Sequence, residues 1–357
     1  MQRAQLYPMI QALLAAVLFG ASAPLAKLLL GEVEPISLAA FLYLGSGIGV
    51  LLFKGIRHSG TPEAESEAQI KRSDWGWLAG SVFAGGVAAP IVLLFSLRST
   101  PAATASLLLN FEGVATSLIA ALFFKESLNR TAVWAILCVT TASILLSWDV
   151  SGQWGLSLGA LGILSACVLW GVDNNLTRNI SAKDPLSIVL VKGLGAGSFS
   201  LLLTLLLGNS LPRLTIMLGA MLLGSISYGL SIVLFIRAMR GLGAARTSAL
   251  FGIAPLAGVL LSFLLFRETP NTLFIIALPL MIVAALLLFR EKHNHKHVHE
   301  AVTHEHRHRH DDGHHNHDHP EMMSRSLTHS HVHTHEPIEH EHPHVPDIHH
   351  RHIHQSE

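Results

Sequence analysis

The stretch Leu107-Leu108-Leu109-Asn110-Phe111-Glu112-Gly113 carries one carboxylate in a run, Ala102 to Phe124, that holds no other charged residue. An acid at membrane depth costs at least a few kcal/mol unless it is paired or wetted, which makes Glu112 a functional candidate. A carboxyl group in an apolar cavity can take up and release a proton as the cavity opens to alternate sides. A fixed ion pair with Lys27, Arg178 or Lys192 is the alternative. A second constellation is Trp170, Asp173, Asn174 and Thr177, spaced by three and four residues and therefore on one helical face. With Asn175 and Arg178 nearby, that face is wrong for lipid and suits a water-filled cavity that holds the charged or amide parts of a solute. The bland reading is that Asp173 and Arg178 reach back to water at the membrane edge. Lys192 can pair with Glu112, attract an anionic substrate or snorkel to the surface.

A third constellation lies at the end of the chain, where all but one (His58) of the 24 histidines fall beyond residue 292. His304, His306, His308, His310, His314, His315, His317, His319, His329, His331, His333 and His335 alternate with acids, hydroxyls and arginines. Neutral imidazole beside carboxylate suits Zn, Ni, Co or Cu. The segment has no apolar periodicity from which to build a core, so disorder is expected, and the metal site reads as a loose sponge of poor selectivity. A pH response of the imidazoles and the absence of any role stand as alternatives. No cofactor is required by anything else in the chain.

These groups have to be held by the rest of the sequence. Of 357 residues half are hydrophobic, with a mean hydropathy of +0.45, and up to Phe289 the text consists of apolar runs near the length that crosses a bilayer. Helices are expected over 8 to 30, 35 to 54, 75 to 96, 101 to 124, 131 to 148, 156 to 177, 185 to 208, 214 to 237, 246 to 266 and 271 to 290, an all-α polytopic membrane protein. Ala21-Ser22-Ala23 imitates a signal-peptide cleavage site, but Pro24 would follow the cut and the first helix is read as retained. An even number of spans puts both termini on one side. Arg3, Lys54, Arg57, Lys71, Arg72, Lys125, Arg130, Arg178, Lys183, Arg237, Arg240, Arg246, Arg290 and Lys292 fall on one side, against Lys27, Arg98, Arg213 and Arg267 on the other. The excess marks the cytoplasmic side, so both termini and the tail are expected in the cytoplasm of an inner (plasma) membrane protein. Cys138 and Cys167 lie in apolar runs and read as small buried hydrophobes. No nucleophile–base pair or phosphate-binding loop appears, which argues against an enzyme or an ATP-driven pump, and nothing suggests nucleic acid.

The chain also repeats. The segment from Ser96 to Ser127 aligns without a gap on Ala238 to Thr269, placing Arg98 on Arg240, Ser106 on Ser248, Gly113 on Pro255 and Lys125-Glu126 on Arg267-Glu268. Phe19 to Lys27 falls on Trp170 to Arg178. Five helices are duplicated, and because five is odd the second copy enters the membrane in the opposite sense, a plan known in secondary transporters. The domains are therefore 1–148, 149–290 and the tail 291–357. Paired interruptions in such repeats point to a central site, and Gly113, Pro255 and Pro24 are the candidate hinges. Gly45, Gly47 and Gly49 in the second helix, with Gly193, Gly195 and Gly197 in the seventh, read as a close-packing surface.

The run FGASAPLAK, the PAATASLLLNFEG segment, the KES and RET endings of the fourth and ninth helices and the two halves together resemble the ten-helix, EamA-type branch of the drug/metabolite transporter superfamily. Phe19-Gly20, Glu112-Gly113 and Lys125-Glu126 depart from the usual Trp-Gly, Glu-Pro and Gly-Glu. The resemblance implies a secondary transporter, read here as an exporter of small metabolites by alternating access, with lipid and a small-molecule substrate as partners. The alternative is a divalent Ni, Co or Zn exporter that gathers metal on the tail. The residues leave the oligomeric state open, a homodimer included.

Overall fold

The structure, a computed structural model, describes residues 3–58, 68–124, 130–148, 157–180, 183–242, 247 and 250–289, and in the tail 294–299, 302–308, 329–335 and 338–343. Among the described residues, seven helices are long and apolar enough to cross a membrane: Leu6–Leu29, Pro35–Gly55, Arg72–Leu97, Ala102–Phe124, Arg130–Ser147, Pro185–Leu206 and Leu214–Ala238. Leu158–Arg178 fills the sixth place in the order. It has sufficient length, but Asp173, Asn174, Asn175 and Arg178 dilute its hydropathy. The apolar helices Ala254–Phe266 and Thr272–Phe289 are the ninth and tenth. Helices are named below by this order.

Several rods are interrupted, and the sequence supplies the cause. The first helix breaks at Ala21 between Arg3–Gly20 and Ser22–Leu29, because Pro24 has no N–H to offer the Gly20 carbonyl one turn back. The ninth helix starts at Ala254 after a turn at residues 252–253, with Pro255 in its first turn. There the fixed φ of proline is at home and its missing donor leaves the Phe251 carbonyl without a helical partner. The fourth helix is split into Ala102–Leu108 and Phe111–Phe124. Across the split, Asn110 N–H donates to Leu107 O, Glu112 N–H to Leu109 O and Gly113 N–H to Asn110 O, at 3.1 to 3.3 Å, so the backbone tightens to three-residue bonding. Gly113 itself lies inside the second piece.

The third helix widens to π geometry over Val82–Ala88 and the eighth over Ser225–Leu230. The 142-residue offset read from the sequence carries one stretch onto the other within a residue, so the duplication reaches the backbone. Inversion is visible as well. Glu268, just past the end of the ninth helix, hydrogen-bonds the first residues of the fourth; one helix ends where its repeat partner begins.

A continuous apolar core runs through the bundle, with the second helix packed on the seventh and eighth, the fifth on the tenth and the first on the eighth and ninth. The second and seventh helices meet backbone to backbone. A Cβ added at Gly193 would lie 2.6 Å from Gly47 N, and one at Gly47 would lie 2.8 Å from Leu194 N. Gly195 faces Val82 instead, at ordinary contact distance. Leu122, Phe123, Leu218, Leu222 and Leu264 stay exposed on the outside, as a lipid-facing surface requires. In the tail, β1 (Asn294–His299) pairs antiparallel with β4 (Ile338–Pro343), and β2 (Val302–His308) with β3 (His329–His335), where the sequence reading expects disorder. The alternating residue pattern has the period of a strand, and pairing satisfies its backbone groups without a core. His310, His314, His315, His317 and His319 lie outside the described residues, as do Lys125, Glu126 and Ser248.

Candidate functional site

The split in the fourth helix releases backbone groups at the level of Glu112. Because Glu112 N–H turns to Leu109 O, the Leu108 carbonyl loses its amide partner, and the Cys167 thiol of the sixth helix sits against it at 3.6 Å. Asn110 contributes to the split, since its side-chain amide donates to Leu107 O at 3.2 Å and so competes with helical bonding. Glu112 then faces the sixth helix. Asn174 Nδ2 donates to its Oε1 at 2.9 Å and to Thr116 Oγ1 at 3.1 Å, and Asn175 Nδ2 donates to Thr116 O at 3.1 Å. Asn174 is exposed and Glu112 half-buried. Among the described residues Glu112 has no ion-pair partner.

The neighbouring acid is held quite differently. Asp173 is 4% exposed, and Lys192 Nζ from the seventh helix reaches its two oxygens at 2.6 and 2.7 Å. Ser81 of the third helix donates to Asp173 Oδ1, and Thr177 Oγ1 does so at 3.0 Å. A buried ion pair is sustained only when extra hydrogen bonds complete its coordination, and here the two hydroxyls do so. The face expected to carry Trp170, Asp173, Asn174 and Thr177 together therefore divides. Successive helical residues turn by about 100°, so Asp173 and Thr177 point to the third and seventh helices while Asn174 points to the fourth.

The π segment supplies the third component. Ala89 N–H bonds Ala84 O. The Gly85 carbonyl, which the same five-residue spacing would pair with residue 90, meets Pro90, which has no N–H. Two side chains take the vacant acceptor: Trp170 Nε1 at 2.9 Å and the Tyr43 hydroxyl at 2.9 Å. Gly85 is required for a second reason, since a Cβ there would lie 2.6 Å from the Cβ of Asp173 and closer still to its carboxylate. The Tyr43 ring stacks on Tyr228 at 5.8 Å, and an aromatic series continues through Phe19 to Phe251 and Phe235 at 5.0 to 6.0 Å. The aromatic series and the polar set of Glu112, Asn174 and Thr116 are thus two separate groups of contacts.

The structure brings Glu112, Asn110, Asn174, Trp170, Asp173 and Lys192 into one region. Lys27 lies elsewhere, at the end of the bundle where the fourth helix begins, and donates to Thr100 O. Arg178 closes the sixth helix. The alternatives that paired Glu112 with Lys27 or Lys192 are not what the geometry shows: Lys192 is committed to Asp173. Tyr43, Ser81, Gly85 and Thr116 were not read from the sequence. The visible signal for them was Gly85-Gly86 followed by Pro90 in the third helix, which marks a backbone that cannot bond regularly. Cys167, expected as a small buried hydrophobe, is fully buried in the apolar core, and its thiol lies against the carbonyl freed by the split.

An apolar multi-pass bundle with a duplicated, oppositely oriented five-helix unit and a polar region at helix breaks defines a membrane transport protein. The chain belongs to the EamA-like transporter family, whose model matches it twice, over residues 6–148 and 157–290. An uncharacterized transporter of Methanothermobacter thermautotrophicus is 29% identical over 278 residues, covering 74% of this chain and 80% of that protein. A solved crystal structure shares the fold with a TM-score of 0.53 at 18% identity, covering 78% of this chain and 95% of the other.

Proposed function

We propose that this protein is a secondary active exporter of small metabolites that works by alternating access, with Glu112 as the group that exchanges a proton. The carrying observation is the contrast between two acids held in different ways. Asp173 is neutralised by Lys192 and two hydroxyls, so it ties the third, sixth and seventh helices together. Glu112 rests on the neutral amide of Asn174, and that bond crosses from the first repeat to the second at a split helix. A carboxyl group bonded to a neutral donor can lose or gain its proton without stranding a partner charge. The aromatic series beside it suits the apolar part of a solute, and Asn174 and Thr116 suit its polar part.

Both termini are read as cytoplasmic from the lysine and arginine distribution. The tail is read as an accessory binder of Zn, Ni, Co or Cu. What supports this is the register, in which His304, His306 and His308 stand opposite His333, His331 and His329, and His295 and His297 opposite His342 and His340. Metal as the transported cargo is less well supported: among the described residues no three of His, Cys, Asp and Glu converge.

The test uses inside-out vesicles with an imposed pH gradient and a panel of amino acids, cationic drugs and divalent Ni, Co and Zn. Uphill, gradient-dependent movement of an organic solute that Glu112→Gln reduces to facilitated exchange is the expected result. Full coupling in Glu112→Gln refutes the proton role. Gradient-driven movement of Ni, Co or Zn that is lost on truncation after Arg290 makes the metal exporter correct instead.

A further inference from the structure

We infer that Glu268 is a latch that holds one end of the central chamber shut by tying the second repeat to the first; the inference rests on the alternating-access reading and adds a specific device to it. Its carboxylate grips the fourth helix with both oxygens, Oε1 accepting from Ala102 N–H at 2.7 Å and Oε2 from Ala103 N–H at 2.9 Å. These donors have no partner within the fourth helix, because the first-turn amides of any helix point outward and Pro101 ahead of them has no side-chain acceptor. The helix dipole adds to the attraction for a carboxylate at that position. Lys27, at the close of the first helix, donates to Thr100 O, two residues before Ala102. Three helices from two repeats thus meet at the start of the fourth.

Two further features make the contact look built rather than incidental. Arg267 adopts a left-handed conformation with φ of 50°, the only non-glycine residue with positive φ among those described. That conformation turns the chain sharply off the axis of the ninth helix, so that the next residue, Glu268, swings across to the fourth. A left-handed residue is a common way to end a helix, and its amide here closes on Phe263 O, so the turn that aims Glu268 is part of the helix stop. Deeper in the bundle, nine residues before Arg267 and four after Ala102, the first, fourth and ninth helices touch with little side chain between them: a Cβ at Gly258 would lie 2.7 Å from Gly20 O and 2.8 Å from Ser106 Oγ. Close backbone approach packs these helices tightly, and the Glu268 contact adds a directional tie at their end. By comparison, the Arg98–Glu34 pair, both side chains of which are at least 41% exposed, is a weak tie.

The experiment measures access to the interior directly. A cysteine replaces Ser106, which is 1% exposed, in a full-length chain whose Cys138 and Cys167 are alanine. Its rate of modification by a membrane-impermeant methanethiosulfonate is followed in reconstituted vesicles. Glu268→Gln should raise the rate about tenfold, the factor expected when a two-pronged charged contact becomes a single neutral one. Glu268→Ala is the second variant: it removes both acceptors, so both first-turn amides of the fourth helix lose their partner and the rate should rise at least as far as in Glu268→Gln. Unchanged labelling in both variants overturns the latch. Because labelling needs no cargo, that outcome is separate from a failure of the transport reading, in which labelling rises yet no solute moves.

Discussion

Replacing Gly85 by alanine tests the organisation of the site most directly. The added methyl would lie 2.6 Å from the Cβ of Asp173 and nearer to its carboxylate, well inside any tolerable separation, so Asp173 must leave its place or the third and sixth helices must part. In the first case Lys192 loses the carboxylate that neutralises it, and stranding one member of a buried ion pair costs about 3–5 kcal/mol. In the second, overpacking alone costs about 1–3 kcal/mol. Either way the Gly85 carbonyl shifts under Trp170 and Tyr43. The control is Gly195→Ala, one helix away, where the new methyl meets Val82 at 3.5 and 3.9 Å, ordinary contact. There alanine gains up to about 1 kcal/mol of helix propensity. Thermal unfolding in detergent, followed by tryptophan fluorescence, should put Gly85→Ala about 5 °C or more below the parent and Gly195→Ala level with it or above. If Gly85→Ala melts within about a degree of the parent and the control, the packing of Asp173 against the π segment is not as argued here.

The Asp173–Lys192 pair should show strong coupling in a double-mutant cycle. Asp173→Leu and Lys192→Met, each alone, should lower stability by about 3–5 kcal/mol, whereas the double variant recovers most of that loss; additive losses would mean that the two charges do not interact. A separate lock lies where the second and seventh helices meet the short segment before the third. Although partial burial raises the Asp184 pKa, Lys54 at 2.7 Å, the Ser187 hydroxyl and Leu186 N–H hold it below its ordinary value of 3.8. A depressed carboxyl group contributes stability that is present above the unfolded value and lost as pH falls through the folded one. The melting difference between the parent and Asp184→Asn should therefore be constant from pH 8 to about 5 and shrink only below about 4. A difference that fades near pH 6 would implicate another group.

Much of this organisation was legible in the residues. Hydropathy and proline placement locate helices and their weak points, because a missing N–H acts on the carbonyl one turn back wherever the chain is helical; Pro24 and Pro255 needed no tertiary information. The duplication was legible because charge pairs and glycines recur at a fixed offset, and its inversion follows from an odd number of crossings. Glu112 stood out because a lone acid in an apolar run has few bland explanations. The partners of each charge were decided by the tertiary structure alone. From the sequence Lys192 is open to Glu112, an anionic substrate or the surface, whereas the structure places it on Asp173, beside a π segment of the third helix whose Gly85 leaves room for that carboxylate. The latch at Glu268 likewise joins residues 166 apart through one left-handed residue. Periodicity along a chain reports which face is polar, whereas the choice of partner is a distance between helices, and that is set only when all of them pack.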